Sequence, residues 1–310
     1  MNVKKFIESQ VEDIKKTVGK GKAISALSGG VDSATCTVLA HRALGSQLKT
    51  IFIDHGLMRQ GEPGDVAKIF GGLGITVDIV DKKKEFFSGL KGKVDPEEKR
   101  KAFRYAFYDS FGREVLKSKA TYLIQGTIAA DIIETQQGVK TQHNILEQIG
   151  IDPEKGFGFK VVEPIKELFK HEVRQVAKEL GLPERIYNRM PFPGPALATR
   201  IVGEVTPERV ALVRAATVIV EEEVAGLKPF QAFAVLLADK GTGIVGGKRT
   251  FGDIIIIRSV ESKDAMTAEP TAVPFEVLTK MAKRITQELP EVSRVAYELT
   301  AKPPATIEYI

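Results

Sequence analysis

Ile24–Ala43, ISALSGGVDSATCTVLAHRA, is the stretch that decides the fold. A short apolar run (Ile24, Ala26, Leu27) ends in Ser28-Gly29-Gly30-Val31-Asp32-Ser33, and a helix-compatible run follows from Ala34. The order is strand, glycine-rich turn, helix N-terminus. Amides in the first turn of a helix have no intrahelical acceptor and face outward with the positive end of the helix dipole, so they attract an anion. Gly29 and Gly30 permit positive φ and keep Cβ atoms away from an approaching phosphate. Ser28 and Ser33 offer hydroxyls, and Asp32 offers a carboxylate to a ligand or to a magnesium ion. An ordinary βα turn capped by Ser and Asp is the plainer alternative, but a cap needs one such residue, not six in this order. The run is neither G-x-x-x-x-G-K-[ST] nor G-x-G-x-x-G, which excludes the Walker and dinucleotide loops here.

Outward from this point the chain alternates. Residues 1–18 carry Val3, Phe6, Ile7, Val11, Ile14 and Val18 on one helical stripe, ended by Gly19 and Gly21. Thr50–Asp54 reads as a second strand, 61–73 as a helix entered through Glu62-Pro63, and Thr76–Val80 as a third strand. Asp95 caps a long helix starting at Pro96, whose Phe103, Phe107 and Phe111 form a core stripe. Thr121–Gln125 is a fourth strand, 161–164 a fifth, and 171–180 a helix ended by Gly181 and Pro183. Strands separated by helices predict a parallel sheet with a ligand site at its carboxyl edge. Loops at 28–33, 55–59 and 126–134 are placed there.

Pro191–Pro195, PFPGP, holds three prolines in five residues and reads as a rigid linker. Beyond it the rhythm becomes α+β: a helix from Thr206-Pro207 to about Val224, strands at 232–237 and 253–259, a helix at 275–289 and a strand at 292–299. The resulting expectation is an α/β domain over 1–188 and a smaller α+β domain over 189–310. Gly241-x-Gly243-x-x-Gly246 matches the dinucleotide fingerprint, but a strand and not a helix follows it, so a glycine-rich hairpin or substrate loop is expected.

Composition narrows the function classes. The 310 residues are 43% hydrophobic and 27% charged, ordinary for a globular chain with room for two cores. No apolar run reaches membrane-spanning length and the N-terminus has no secretory core, so a cytoplasmic protein without membrane contact is expected. The net charge of +5 comes from basic residues interspersed with 40 acids, which favours phosphate-rich small substrates over nucleic acid. The single cysteine, Cys36, forms no CxxC pair, and the four histidines are scattered, which argues against zinc.

The run SGGVDS resembles the pyrophosphate loop of the ATP-pyrophosphatases, which split ATP into AMP and pyrophosphate to activate an oxygen. From about residue 20 onward the chain is similar to the ATP-pyrophosphatase part of GMP synthetase. The matching pieces are ALSGGVDS (26–33), IDHGLMR (53–59), QGTIAADIIE (125–134), VKTQHN (139–144), EPIKELFK (163–170), PFPGPALATRIVGEV (191–205), SKDAMTA (262–268) and AKPPATIE (301–308). PFPGP with KPPATIE discriminates most, because sister families such as NAD synthetase share the loop but not both of these. The resemblance implies an adenine nucleotide alpha-hydrolase-like α/β domain followed by a smaller α+β dimerisation domain. It implies ATP and Mg2+ as cofactors, with XMP and ammonia as substrates. The xanthine O2 would attack the α-phosphate, and ammonia would then displace AMP to give GMP. By position, Ser28, Gly29, Gly30, Val31, Asp32, Ser33 and Ala34 would hold the pyrophosphate, with Asp32 near the metal. Asp131, Glu134, Lys140 and His143 would be catalytic lid residues, although Gln142 stands where a second histidine is usual. Arg59, Lys302 and Glu308 would bind XMP. A two-fold dimer through the C-terminal domain is also implied.

Cys36 sits in the helix after the loop, without the G-x-C-x-G elbow of a glutaminase nucleophile. Ammonia is therefore expected free or from a separate glutamine amidotransferase subunit. Two rival readings are RNA thiolation on the same loop and a non-catalytic nucleotide sensor. Thiolation commonly relays sulfur through cysteine pairs that this sequence lacks, and Asp131, Glu134 and Lys140 argue against lost turnover.

Overall fold

The structure, a computed structural model, describes residues 1–136, 160–263 and 265–310, the side chains of 134–136 excepted. The chain divides into two units, and neither is contiguous in sequence. The first comprises 1–54, 61–82 and 107–189; the second comprises 55–60, 83–106 and 190–310.

In the first unit, α1 (Val3–Val18) begins where the Asn2 side chain accepts the Lys5 N–H, and it buries Ile7, Ile14 and Val18. The strand β1 (Ala23–Leu27) leads into α2 (Val31–Leu44). Next come β2 (Leu48–Asp54), α3 (Glu62–Gly72) and β3 (Val77–Asp81). The next two helices fall outside this unit in whole or part: α4 (Lys83–Leu90) belongs to the second unit, and α5 (Pro96–Ser118) belongs to the second up to 106 and to the first from 107. The start of α5 has the Asp95 carboxylate accepting the Glu98 N–H at 2.9 Å, the expected cap. The first unit is completed by β4 (Tyr122–Ile124), α6 (Ala129–Gln136), β5 (Lys160–Val162), α7 (Lys170–Glu179) and the short α8 (Glu184–Tyr187). The five strands form a parallel sheet in the order β3-β2-β1-β4-β5. The order runs outward from β1 in one direction and then resumes on its other side with β4. The topological switch point, where open parallel sheets bind ligands, therefore lies between the loops that follow β1 and β4. On one face α1 packs against α2 and α7.

In the second unit, α9 (Pro207–Glu223) is capped by the Thr206 hydroxyl, as the Thr-Pro signal predicts. The two expected short strands are one long antiparallel hairpin, β6 (Gln231–Val245) and β7 (Lys248–Glu261). Gly246 and Gly247 make its two-residue turn with φ of +56° and +76°, the left-handed pair that a tight hairpin requires. The dinucleotide-like glycines thus belong to a hairpin, as the absence of a helix after them indicates. The sheet is completed by β8 (Glu269–Pro270), antiparallel to β7, and β9 (Val292–Tyr297), parallel to β7, with α10 (Phe275–Glu288) packed on β9. The PFPGP segment is folded into this unit and does not hang free. It turns into a 3-10 helix at Ala196–Arg200, and the Leu197 N–H donates to the Leu57 carbonyl at 3.0 Å.

Candidate functional site

The loop after β1 is closed by its own side chains. The Ser33 hydroxyl accepts the Ser28 N–H at 3.1 Å and donates to the Gly30 carbonyl at 3.1 Å, and the two serine hydroxyls lie 3.0 Å apart. The serines read as donors to a ligand are thus first the groups that hold the loop in shape. Gly30 is the N-cap of α2 and brings no side-chain cap, and the first helical bond runs from the Ala34 N–H to the Gly30 carbonyl. The amides of Val31, Asp32 and Ser33 precede that bond and stay available to an anion.

Gly29 shows why glycine stands here. Its φ is +77°, and a Cβ at this position would lie 2.1 Å from Glu62 Oε1 and 2.6 Å from Arg189 Nη1. Those two side chains form an ion pair, Arg189 Nη2 to Glu62 Oε1 at 2.6 Å, in which Glu62 is buried and Arg189 half-buried, while Arg189 Nη1 donates to the Gly29 carbonyl at 2.6 Å. The guanidinium holds the Gly29 carbonyl on its own side and so fixes the peptide plane leading into Gly30. Lys170, the first residue of α7, places its ammonium 2.6 Å from Asp32 Oδ2. Asp32 Oδ1 is buried and has no hydrogen-bond partner. One hard carboxylate oxygen thus remains for a cation, which fits magnesium held by one carboxylate and substrate phosphates. Among the described residues no group of three or more His, Cys, Asp or Glu could hold a metal by itself.

The loop after β4 meets this cradle. A Cβ on Gly126 would lie 3.0 Å from the Asp32 carbonyl carbon and from the Ser33 nitrogen, so a larger residue here would push the two backbones apart by a few tenths of an ångström. Cys36 is buried and its thiol donates to the Gln125 carbonyl. Burial, with the Asp32 and Glu163 carboxylates adding to it, pushes this thiol well above its ordinary range. A buried, protonated thiol is a packing group and not a nucleophile. Thr127 bridges the same region, accepting from Gln125 Nε2 at 3.0 Å and donating to Glu163 Oε1 at 2.5 Å.

The other expected site residues fall in different places. Asp131 Oδ2 accepts the Ile128 N–H at 3.0 Å, so this carboxylate starts α6 by reaching back to its cap. Glu134 lies on α6, but its side chain is outside the described residues, as are Lys140 and His143 altogether. In the second unit, Arg59 donates from Nη2 to the carbonyls of Met190 and Pro191, at 3.0 and 3.2 Å, and lies 4.3 Å from the Phe192 ring centroid. Lys302 donates to the Ala265 carbonyl at 2.6 Å. Glu308 receives Arg200 through two hydrogen bonds. The turn that carries Lys302 and leads to Glu308 is fastened by Arg258, which is fully buried and donates to the carbonyls of Thr300 and Thr306 at 2.6 and 3.2 Å.

Glu62, Lys170, Arg189 and Arg200 are the residues that sequence reasoning passes over. Lys170 ends the family motif EPIKELFK and Arg200 lies within PFPGPALATRIVGEV, so a signal exists for them. Glu62 and Arg189 stand 127 positions apart by subtraction, and no local pattern couples them.

Two family models match the chain. The family model described as NAD synthase matches residues 1–194, and that described as GMP synthase C terminal domain matches 220–309. A subunit of GMP synthase [glutamine-hydrolyzing] from Thermococcus kodakarensis is 54% identical over 98% of each chain. Its namesake from Archaeoglobus fulgidus is 54% identical over the whole of both chains, and that from Methanopyrus kandleri 50% identical over 99% of this chain and 98% of its own. The first unit's loop is common ground with NAD synthase, while the C-terminal match separates the two, as KPPATIE indicates. By full-length similarity the chain belongs to this family of glutamine-hydrolyzing GMP synthase subunits.

Proposed function

We propose that this chain is the ligase subunit of a two-chain GMP synthase: it uses ATP to convert XMP into GMP, with ammonia delivered by a separate glutamine amidotransferase subunit. The observation that carries this reading is the amide cradle at Val31–Ser33, set at the sheet's switch point beside Gly126. In the reaction the xanthine oxygen attacks the α-phosphate of ATP and pyrophosphate leaves. Charge builds on the departing diphosphate, where fixed amide dipoles aimed at it stabilise the transition state. Lys170 adds a positive charge at the cradle, and Arg189 keeps the Gly29 peptide from turning its carbonyl toward the phosphates. Magnesium, when bound, neutralises phosphate charge, and Asp32 Oδ1 would hold it. Ammonia then displaces AMP from the adenylated XMP.

Further parts of the reading rest on family likeness. Asp131, Glu134, Lys140 and His143 serve the lid, Arg59, Lys302 and Glu308 serve XMP, and the chain pairs two-fold through residues 189–310. No helix among the described residues is long and apolar enough to cross a membrane, and a cytoplasmic location is proposed with that in mind. The buried thiol of Cys36 supports an external source of ammonia, as does the naming of the relatives as subunits.

The test is to mix the protein with ATP, magnesium, XMP and an ammonium salt at alkaline pH, where free ammonia is plentiful. GMP, AMP and pyrophosphate should form in equal amounts, and pyrophosphate should not form without XMP. Absence of GMP under these conditions refutes the proposal.

A further inference from the structure

His55 is buried, and the reaction outlined above gives it no task. It opens the loop 55–60, which lies between β2 and α3 and outside every strand, so the backbone groups of this loop must find other partners. The second unit, to which the loop belongs, provides most of them. Arg214 donates from Nη2 to the Gly56 carbonyl at 2.5 Å and from Nε to the Met58 carbonyl at 2.8 Å, and the Leu57 carbonyl takes the Leu197 N–H. The Leu57 N–H is left to His55, whose Nδ1 accepts it at 3.1 Å. Leu57 is 0% exposed, so solvent does not offer that N–H another acceptor. Gly56, between the two, turns with φ of +78°.

Two phenyl rings hold the imidazole. Phe86 lies 5.1 Å from its centroid at 41°, and Phe103 lies 4.9 Å away, edge-on at 77°. Both are buried. A third phenyl ring would fill this box without carrying polar nitrogens into it. What phenylalanine lacks is an acceptor. A side-chain acceptor that takes the N–H two residues on closes the turn that Asn and Asp characteristically make, and Nδ1 stands as many bonds from Cα as an Asn Oδ1. Nδ1 accepts through its lone pair, so the bond selects the neutral ring with its proton on Nε2. Two residues beyond Leu57 the turn delivers Arg59, whose guanidinium donates to the Met190 and Pro191 carbonyls and lies against Phe192.

We propose that His55 is a positioning residue for XMP: its Nδ1, aimed by Phe86 and Phe103, closes the turn that sets Arg59 toward the nucleotide. The proposal rests on the reading of Arg59 as a residue that serves XMP.

Steady-state kinetics of ammonia-dependent GMP formation test it, with thermal melts beside them, in His55→Phe, His55→Asn and Arg59→Gln. His55→Phe keeps the ring and removes the acceptor; it should raise KM for XMP at least fivefold, with kcat and KM for ATP within twofold of the parent. His55→Asn keeps an acceptor and leaves the box part empty; it should melt below His55→Phe yet bring KM for XMP back to within twofold of the parent. The two variants thus rank in opposite orders for stability and for KM, which a residue that merely packs would not produce. Should His55→Phe not fold, His55→Leu carries the same expectation. Arg59→Gln should raise KM for XMP at least as much as His55→Phe. An unchanged KM for XMP in His55→Phe, beside a raised one in Arg59→Gln, overturns the proposal and leaves the Arg59 reading standing. So does a His55→Asn protein whose KM for XMP is as high as that of His55→Phe, or an equal rise in KM for ATP. An unchanged KM in Arg59→Gln removes the reading beneath the proposal, and the proposal with it.

Discussion

Replacing Gly29 by alanine tests the cradle at the point where backbone and side chains constrain it together. The new Cβ would sit 2.1 Å from Glu62 Oε1 and 2.6 Å from Arg189 Nη1, at a φ of +77°. Left-handed backbone costs an alanine about 1–2 kcal/mol. A carboxylate at the end of a flexible chain would ordinarily step aside, but Glu62 is buried and tied to Arg189. Breaking a fully buried pair costs about 3–5 kcal/mol, and less here because Arg189 is partly exposed, so a partial displacement added to the backbone term gives a loss on the order of 3 kcal/mol. In a chain of this size that lowers the first thermal transition by roughly 6 °C or more. The catalytic effect should be larger than the stability effect. A cradle moved by about 1 Å loses on the order of a hundredfold in rate, because its amides no longer meet the developing charge. The assays are differential scanning calorimetry and XMP-dependent pyrophosphate release at a temperature where the variant is folded. A Gly29→Ala protein with the parent's melting temperature and kcat/KM for ATP would refute the claim that Glu62 and Arg189 hold this loop.

Asp32→Asn should raise the magnesium concentration for half-maximal activity several-fold while Lys170 still hydrogen-bonds the amide; a magnesium titration of pyrophosphate release reads this, and an unchanged midpoint would discount Asp32 as a ligand. Cys36 should resist alkylation by iodoacetamide in the folded protein and react once it is unfolded, with ammonia-dependent GMP formation unaffected by the reagent. Lys99 donates to the Ile201 carbonyl at 2.7 Å, and burial, reinforced by the Arg209 guanidinium, pulls its ammonium down to about 8. Because the folded value lies below the ordinary 10.5, the unfolded chain holds the extra proton between those pH values, and Lys99 contributes rising stability as pH climbs through that window. The difference in stability between the parent and Lys99→Met, followed by denaturant titration, should therefore shift in the parent's favour from pH 8 to 10 and stay flat below pH 8.

Much of the architecture is legible from local signals. The βα turn at 28–33, the Asp95 and Thr206 caps and the turn at Gly246-Gly247 each rest on residues within a few positions of one another, and the structure forms all of them. The helix Lys83–Leu90 escapes a sequence reading, because its start lies in a lysine cluster, Lys82–Lys84, that looks like solvated surface. The hairpin reads as two short strands because polar Asp239, Lys240 and the glycines at 241 and 243 interrupt the apolar pattern where the outer half leaves the core.

By itself the sequence determined that a glycine-rich turn and a helix N-terminus follow the first strand of a parallel sheet, since glycine freedom and amide geometry are properties of adjacent residues. It also carried the family, through motifs that need no coordinates. Which side chains hold that loop and Glu308 in place was decided only in three dimensions. The grips of Arg189 on Gly29 and of Arg200 on Glu308 join positions more than a hundred residues apart. Such pairs form where the fold excludes water and leaves a charge one partner to find, and no sequence period records that choice.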